Sequence, residues 1–260
     1  MSGRGRRPIS APIYSEVTYC RRDTYDASIL HSVKFDYPSL PDSLTRDDIV
    51  LDIGSHIGAF CLLAADRGAT VVGYEANKEN HALANLNLMH RESVCLHQAA
   101  IWRSDQAGSS LLFTPSAAPD NTGGGSVLFR STDEHWKTIP LDTLVEIPVE
   151  MRLSTHDVPT VALDAVLRDA GAIRFLKIDV EGAEFPILLT ATELRHVSHI
   201  AGEFHAFTEA QMEGLAPEAV VGQERYTGDL LRRYLESVGF EVAITGIFES
   251  RGLFEASRRN

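Results

Sequence analysis

The stretch "VLDIGSHIGAFCLLAADRGATVVGYEAN", residues 50–77, contains the signals that decide the fold. It begins with a short apolar run that ends in an acid and a glycine, which is typical of a buried β-strand followed by a tight turn. Apolar residues then recur at helical spacing as far as Gly68, where the glycine predicts the end of a helix. A second apolar run ends in Glu75. The order strand, glycine turn, helix, strand predicts an α/β protein with a parallel sheet covered on both faces.

The two glycines of the turn, Gly54 and Gly58, indicate which ligand the turn suits. Their G-x-x-x-G spacing is shorter than the G-x-G-x-x-G of dinucleotide-binding proteins, and no Lys-Ser/Thr pair follows, which excludes a Walker-type phosphate loop. Asp52 at the end of the strand is badly placed for a pyrophosphate at the helix N-terminus, but it suits a cationic or zwitterionic ligand. S-adenosylmethionine, which carries a sulfonium, an ammonium and no phosphate, is such a ligand.

Glu75 ends the second strand, where an acid of a nucleotide-binding sheet accepts hydrogen bonds from both ribose hydroxyls. The alternative is that Asp52 and Glu75 only cap helices. Both acids fall at the carboxyl ends of strands, where α/β sheets bind ligands, and this placement favours cofactor binding.

Composition and charge narrow the class of protein further. The 260 residues are 44% apolar and 23% charged, as in an ordinary globular domain. The net charge of -12 argues against a general binder of nucleic-acid backbones. No apolar run reaches membrane-spanning length, the first residues lack the apolar core of a signal peptide, and three scattered cysteines form no zinc or disulfide pattern. We therefore expect a cytoplasmic protein that binds neither nucleic acid nor a membrane.

Strand and helix signals divide the chain into two parts. Residues 1–45 form an N-terminal segment in which "TYDASILHSVKFDY" predicts a helical lid over the ligand cleft. Residues 46–260 form one α/β domain, in which "SVCLHQAAIW" (93–102) predicts the third strand. From about residue 103 to 160 the alternation breaks down, which predicts an inserted loop and hairpin with short strands at "SVLFRS" and "HWKTIPL". The chain closes with a predicted hairpin made by "FEVAITG" and "LFEAS".

A second stretch, "FLKIDVEGAEFPIL" at residues 175–188, is the most specific in the chain. Together with the glycine loop, the preceding "VALDAVL" and the following "IAGEFH", it resembles the FkbM-type methyltransferases. The resemblance implies a Rossmann-like class I methyltransferase fold, with a seven-stranded, mostly parallel sheet in the order 3-2-1-4-5-7-6 and an antiparallel last strand. It also implies S-adenosyl-L-methionine as the cofactor and O-methylation of a hydroxyl group on a small molecule, such as a natural product or a sugar intermediate.

The resemblance also assigns residues to the cofactor. It puts the glycine loop around the methionine end, Glu75 and Asn77 at the ribose, and the "QAAIW" segment near the adenine. Ser55 and His56 stand where the family often has Ala-Asn, and His56 is expected at the entrance of the cleft without an assigned role. The predicted cofactor-binding residues are Asp52, Gly54, Ser55, Gly58, Glu75, Asn77, Gln98 and Ala100.

Methyl transfer needs an acceptor oxygen in line with the sulfonium methyl group and a route for the acceptor's proton. Asp179 follows one strand, and Glu203 and His205 end the next, so we expect these three catalytic side chains to converge on the acceptor. In one mechanism His205 is the general base, since imidazole titrates near neutral pH, and the acids orient the acceptor. In the other, Asp179 and Glu203, with or without His205, hold a divalent cation such as Mg²⁺ that lowers the pKa of the acceptor. The sequence leaves both mechanisms open.

Two neighbours of these residues have structural explanations. Glu181 is expected to cap the following helix, where negative charge near the N-terminus is favourable, and Lys177 to pair with an acid. Three other functions stay open: N-methylation of a small molecule, a cofactor fold without catalysis, and an NAD-dependent oxidoreductase, which the missing third glycine disfavours. Pairing of two copies through the inserted hairpin is compatible with the sequence.

Overall fold

The computed structural model describes residues 18–106, 108, 110–116, 118, 120–128, 155–248 and 250–259. The predicted strand "HWKTIPL", and "SVLFRS" beyond its third residue, lie outside the described residues. None of the helices that the structure describes combines the length and the apolar composition of a membrane span.

The described elements alternate between strand and helix through most of the chain. The strands are β1 (Ile49–Ile53), β2 (Thr70–Glu75), β3 (Val94–Gln98), β4 (Ala100–Trp102), β5 (Ser110–Phe113), β6 (His156–Ala162), β7 (Ile173–Ile178), β8 (His199–His205), β9 (Phe240–Phe248) and β10 (Arg251–Arg258). The helices are α1 (Asp26–Asp36), α2 (Ala59–Asp66), α3 (Lys78–Leu88), α4 (Leu163–Ala170), α5 (Glu184–Leu189), α6 (Glu209–Glu213) and α7 (Gly228–Ser237).

Seven strands form the central sheet, in the order β3-β2-β1-β7-β8-β10-β9. Six of them run in one direction, and β10, the last along the chain, is antiparallel to both of its neighbours. Numbered among themselves along the chain, these strands have the order 3-2-1-4-5-7-6. The predicted Rossmann-like methyltransferase fold, its strand order and its antiparallel last strand are therefore confirmed, as is the closing hairpin of β9 and β10.

The core consists of one apolar layer on each face of this sheet. Val50 and Phe175 pack into one layer, and their neighbours Leu51 and Leu176 pack into the other. All four are fully buried because successive side chains of a strand point to opposite faces, and helices cover both faces of this sheet. The long apolar runs of β1 and β7 thus place the ends of these two strands side by side at the centre of the molecule.

The predicted third strand is wrong in one respect, because "SVCLHQAAIW" forms two strands rather than one. β3 joins the edge of the central sheet, and its last rung is the hydrogen bond from the Ala99 N–H to the Glu75 carbonyl at 3.1 Å. The fully buried β4 then pairs with β6 in a separate three-stranded sheet of order β4-β6-β5. Apolar periodicity shows that a run is buried, but it does not show which sheet the run joins.

The described parts of the inserted region lie on the rim of the cleft. β5, which the sequence did not predict, pairs antiparallel with β6. Thr114 and Ser126 exchange two main-chain hydrogen bonds of 2.9 and 2.8 Å, which form an isolated antiparallel bridge between these two residues. Helix α1 packs against α2, and the ring of Tyr37, which directly follows α1, meets the ring of Phe60 edge to face at 4.9 Å.

Candidate active site

The carboxyl ends of β1, β2, β7 and β8 open into one cleft of about 730 Å³. Helix α1 and residues of the segment 121–127 line its opposite wall. The position agrees with the rule that parallel α/β sheets bind ligands beyond the carboxyl ends of their strands. One half of the cleft surrounds the glycine loop, and the other half is rich in carboxylates at the ends of β7 and β8.

The glycine loop turns sharply between β1 and α2. Gly54 and Gly58 have φ values of +81° and +86°, which residues other than glycine rarely adopt. A Cβ atom on Gly54 would lie 1.9 Å from the main-chain oxygen of Asp179, so the loop can touch the end of β7 only with glycine at this position. Gly54 and the buried Ser55 line the cleft, whereas Gly58 stands at the N-terminus of α2 and is not among the lining residues.

Asp52 lies beneath this loop and does not line the cleft. Its carboxylate is fully buried, 3.2 Å from the Lys177 ammonium, and it also accepts a hydrogen bond from the Cys61 thiol. Lys177 lines the cleft and donates to the main-chain oxygen of Gly54. Burial alone would lower the pKa of Lys177, but the Asp52 carboxylate together with Tyr37 and Asp179 outweighs burial and raises that pKa. The expected pairing of Lys177 with an acid is confirmed, and a direct contact of Asp52 with the cofactor stays a prediction.

Glu75 lines the cleft at the end of β2, where the sequence predicted a contact with ribose. Its two carboxylate oxygens accept the main-chain N–H groups of His56 at 2.7 Å and Asn77 at 2.8 Å. Burial raises the pKa of Glu75 to about 7 in spite of these two hydrogen bonds. Asn77 is itself fully buried, and its side-chain oxygen caps α3 by accepting the Asn80 N–H at 2.8 Å.

The two residues predicted near the adenine differ in their position. Ala100 lines the cleft together with Ala99 and Ile101. Gln98 is exposed at the end of β3 and is not among the lining residues. The break between β3 and β4 explains the difference, since it turns the chain into the cleft only after Gln98. The cofactor contact of Gln98 stays a prediction.

His205 stands in the middle of the carboxylate-rich half. Its Nε2 atom lies 3.4 Å from the Glu181 carboxylate and 3.7 Å from that of Glu203, and its Nδ1 atom lies 3.5 Å from Glu184. Asp179 lines the same end of the cleft. The structure thus brings together the three residues predicted for catalysis, and it adds two glutamates from the loop and helix that follow β7.

Burial and neighbouring charges shift the pKa values of this cluster. Burial alone would lower the pKa of His205, but Glu184, Glu181 and Asp179 outweigh it and raise that pKa to about 10. As long as no cation takes its place, a proton therefore stays on the imidazole at neutral pH, and in that state His205 does not accept one from an acceptor hydroxyl. Burial also raises the pKa of Glu203, and it raises that of Glu181 to about 8.

The expected capping role of Glu181 is wrong, because no side chain makes a capping hydrogen bond at the N-terminus of α5, where Ala183 is the N-cap residue. The main-chain N–H of Val180 donates to the Glu184 carboxylate at 2.8 Å, while Glu181, at a φ of +53°, lines the cleft opposite His205. Glu184 is a member of the cluster that the strand-end pattern of the sequence did not predict. The available signal was the acid at the start of the otherwise apolar helix segment "EFPILL". This acid, Glu184, is fully buried in the structure.

His56 lies at the wall of the cleft in a network that the sequence did not reveal. Thr122 donates its only hydroxyl hydrogen to the fully buried Asp26 at 2.6 Å, so the His56 Nε2 atom, 2.9 Å from the same hydroxyl, must be the donor to it. Arg21 binds the Asp26 carboxylate through its Nε and Nη2 atoms at 2.8 and 3.1 Å. The network joins α1, the glycine loop and the inserted segment.

Comparison with protein families identifies the chain directly. A family model described as "Methyltransferase FkbM domain" matches residues 52–242, which is most of the chain. The match includes the glycine loop, Glu75 and the cluster around His205.

Individual relatives are more distant. The chain is 30% identical over 223 residues to the AMB antimetabolite synthetase AmbE of Pseudomonas aeruginosa, a match that covers 77% of this chain and 10% of AmbE, so the chain spans about a tenth of that relative's length. Among solved structures, the N-terminal domain of EvdMO1 with SAH bound has a TM-score of 0.47 and 15% identity, over 88% of this chain and 81% of that one. Precorrin-6y C5,15-methyltransferase from Geobacter metallireducens has a TM-score of 0.44 and 12% identity, over 92% of each chain. By the family match, this chain belongs to the FkbM family of S-adenosylmethionine-dependent methyltransferases.

Proposed function

We propose that this protein transfers a methyl group from S-adenosyl-L-methionine to a hydroxyl oxygen of a small molecule. One observation carries the proposal: a single cleft joins the glycine loop and Glu75 to a cluster of carboxylates around His205. A methyl donor bound along the first half would present its sulfonium to the second half, where the acceptor's proton has to be removed.

In this proposal the protein holds the cofactor at three places. The glycine loop, supported from below by Asp52 through Lys177, receives the methionine end. Glu75 accepts hydrogen bonds from the ribose hydroxyls, because each of its oxygens is occupied by only one main-chain N–H and has a further lone pair. Ala100 and Ile101 supply apolar contact for the adenine.

The reaction is an in-line displacement at the methyl carbon. The acceptor oxygen forms the new C–O bond, the C–S bond breaks with its electron pair on sulfur, and S-adenosylhomocysteine is released. Asp179, Glu203 and His205 orient the acceptor, and its proton passes to one of the carboxylates of the cluster.

A divalent cation such as Mg²⁺ is the second part of the proposal. Mg²⁺ prefers oxygen ligands, and the carboxylates around His205, that of Asp179 among them, offer such ligands at one end of the cleft. When bound there, such a cation lowers the pKa of the acceptor hydroxyl. The side chains of the protein keep the acceptor oriented towards the methyl group.

The acceptor proposed here is a free small molecule from a natural-product or sugar pathway. The name of the AmbE relative, an antimetabolite synthetase, supports a natural-product pathway, and the net charge of -12 argues against a nucleic-acid acceptor. N-methylation is the second candidate. The carboxylate cluster favours a hydroxyl, because an oxygen acceptor depends more on removal of its proton than a nitrogen with a lone pair does. An NAD-dependent reaction is not retained, since the family is one of methyltransferases.

Calorimetric titration of the purified protein with S-adenosylhomocysteine and, separately, with NAD tests the cofactor. We expect saturable one-to-one binding of S-adenosylhomocysteine and none of NAD, and a Glu75→Ala variant should bind S-adenosylhomocysteine more weakly. Glu241→Ala, which alters an exposed acid on β9, is the matched control. Failure of the wild-type protein to bind S-adenosylhomocysteine would contradict the proposal. Transfer of a labelled methyl group to hydroxylated or to amino compounds then distinguishes O-methylation from N-methylation.

A further inference from the structure

Three side chains of the carboxylate-rich half offer ligand atoms for one metal ion. One atom each of Asp179, Glu184 and His205 lie within 4.8 Å of one another. Donor atoms that share one Mg²⁺ at about 2.1 Å are separated by at most about 4.2 Å, so small side-chain rotations bring this set together. The three residues come from the loop after β7, the first turn of α5 and the end of β8.

A second observation, independent of the distances between the three ligand atoms, also points to a bound cation beside Glu184. The side chain is fully buried, and Oε1 accepts the Val180 N–H at 2.8 Å, but Oε2 has no hydrogen-bond partner among the described residues. The Nδ1 atom of His205, 3.5 Å from the Glu184 Oε1, also lacks a hydrogen-bond partner in that part of the chain. Buried polar atoms without partners are costly and rare, and a cation between these two residues would satisfy both.

Glu203 is engaged elsewhere. Its Oε1 atom lies 3.4 Å from the Arg251 guanidinium and 3.7 Å from the Nε2 of His205, the nitrogen that does not face Glu184. Within the described residues, Glu203 belongs to no set of three closely spaced ligand atoms. The sequence grouped Asp179 and Glu203 as metal ligands, but in the structure only Asp179 belongs to the set of closely spaced ligand atoms.

We propose that Asp179, Glu184 and His205 hold one hard divalent cation, Mg²⁺ or Mn²⁺, and that Glu203 faces the acceptor. The two carboxylates supply the oxygen ligands that such ions prefer, and the imidazole supplies one nitrogen after the cation has replaced its proton. Three protein ligands leave positions of an octahedral shell open towards the cleft, and an acceptor with two oxygens on adjacent carbons fills two of them. The acceptor class, a chelating hydroxyl compound, rests on the proposed methyl transfer, whereas the cation site does not.

Binding of Mn²⁺ to the full-length protein, freed of metal with EDTA and measured by the electron paramagnetic resonance signal of free Mn²⁺, tests the site. We expect one Mn²⁺ per chain and competition by Mg²⁺. Glu184→Gln keeps an oxygen for the Val180 N–H but loses the charge, and it should weaken Mn²⁺ binding by about tenfold or more. Glu203→Gln should leave Mn²⁺ binding nearly unchanged, and Glu209→Gln, in the exposed first turn of α6, is the matched control.

Circular dichroism and S-adenosylhomocysteine titration of the same preparations distinguish failure of the proposed cation site from failure of the proposed methyl transfer. A wild-type protein that binds S-adenosylhomocysteine but no Mn²⁺ would overturn the cation site and leave methyl transfer intact. Loss of Mn²⁺ binding in Glu203→Gln but not in Glu184→Gln would overturn the ligand set. If Glu184→Gln does not fold, His205→Gln provides the same test, with retention of full Mn²⁺ affinity as the contradicting result.

Discussion

Asp52 and Lys177 form a buried ion pair between adjacent strands of the central sheet. The Lys177 Nζ atom lies 3.2 Å from the Asp52 Oδ1 atom, and the two residues are register partners on β1 and β7. The same ammonium donates to the main-chain oxygen of Gly54. The pair therefore ties the glycine loop to the strand that leads to Asp179, so that the two halves of the cleft share one anchor.

Replacing Lys177 by Met should destabilise the protein and weaken cofactor binding. The substitution leaves the Asp52 carboxylate buried without its partner, which costs roughly 3–5 kcal/mol of unfolding free energy. It also removes the donor to the Gly54 carbonyl. Urea denaturation measures the first effect, and titration with S-adenosylhomocysteine measures the second.

The double variant Asp52→Leu/Lys177→Met separates the two effects. An apolar pair of similar volume should restore most of the stability, because no buried charge is left unpaired. Cofactor affinity should stay low, since the Gly54 carbonyl still lacks its donor. Full recovery of S-adenosylhomocysteine affinity in the double variant would show that Lys177 has no positioning role.

Gly54→Ala should be far more damaging than Gly171→Ala. Both glycines have positive φ values, +81° and +75°, but a Cβ on Gly54 would lie 1.9 Å from the Asp179 oxygen, whereas a Cβ on Gly171 meets no atom within 4 Å. Gly171→Ala should cost only the backbone strain of about 1 kcal/mol. Gly54→Ala should abolish S-adenosylhomocysteine binding or prevent folding. Equal losses of stability in the two variants, measured by urea denaturation, would refute the close contact of the loop with β7.

Cofactor binding should weaken as the pH falls below neutrality, because Glu75 has a pKa of about 7 in the folded protein. Ribose hydroxyls donate to the ionised carboxylate, so binding is linked to loss of the Glu75 proton. The affinity for S-adenosylhomocysteine should therefore rise between about pH 5.5 and pH 8 in the wild type, and Glu75→Gln should remove this rise. Calorimetry across this range is the measurement. An unchanged pH dependence in the variant would assign the linkage to another group.

The same shift predicts the sign of the effect of Glu75 on stability in the absence of ligand. Its pKa is raised from 4.5 to about 7 in the folded protein, so the folded state holds the proton more tightly than the unfolded state. The stabilisation from Glu75 is full below pH 4.5 and is lost as the pH rises through about 7. Relative to Glu75→Gln, the wild type should therefore lose unfolding free energy over this interval.

His56 should change the unfolding free energy in the opposite direction, with stability lost as the pH falls. Burial lowers its pKa from 6.5 to about 4, so the unfolded state binds the proton more readily and stability is lost as the pH falls from 6.5 towards 4. His56→Gln keeps an N–H for Thr122 but does not titrate. As the pH falls across this range, the wild type should lose up to about 3 kcal/mol more unfolding free energy than the variant. Parallel pH profiles of the two proteins would contradict the buried, neutral state of His56.

Local signals in the sequence were sufficient to predict the fold class and to place the glycine loop and Glu75 at the carboxyl ends of two strands. The run that ends in Asp52, the turn at Gly54 and the acid at Glu75 each depend on residues within a few positions of one another. Such patterns follow from the geometry of single strands, turns and helices. The resemblance carried by residues 175–188 added the strand order, which the structure confirms.

The cluster around His205 was predicted only in part. Asp179 follows the end of β7, Glu203 and His205 lie at the end of β8, and the carboxyl ends of parallel strands meet at one edge of the sheet. Glu184 was missed because the tight turn with positive φ at Glu181 and Gly182 brings the first turn of α5 back over the end of β7. Helical capping rules concern residues close in sequence, and they assigned to Glu181 a capping hydrogen bond that α5 does not have.

Pairings between distant parts of the chain were decided by the tertiary structure alone. Thr122 and Asp26 are 96 positions apart and still form a 2.6 Å hydrogen bond, and Lys177 reaches Asp52 because β7 lies beside β1. The sequence by itself determined which segments become strands and helices and which acids end the strands, since those choices depend on local geometry and apolar periodicity. Packing of the segments decided which buried charges neutralise one another, because that choice depends on the few ångströms that separate atoms and not on their separation along the chain.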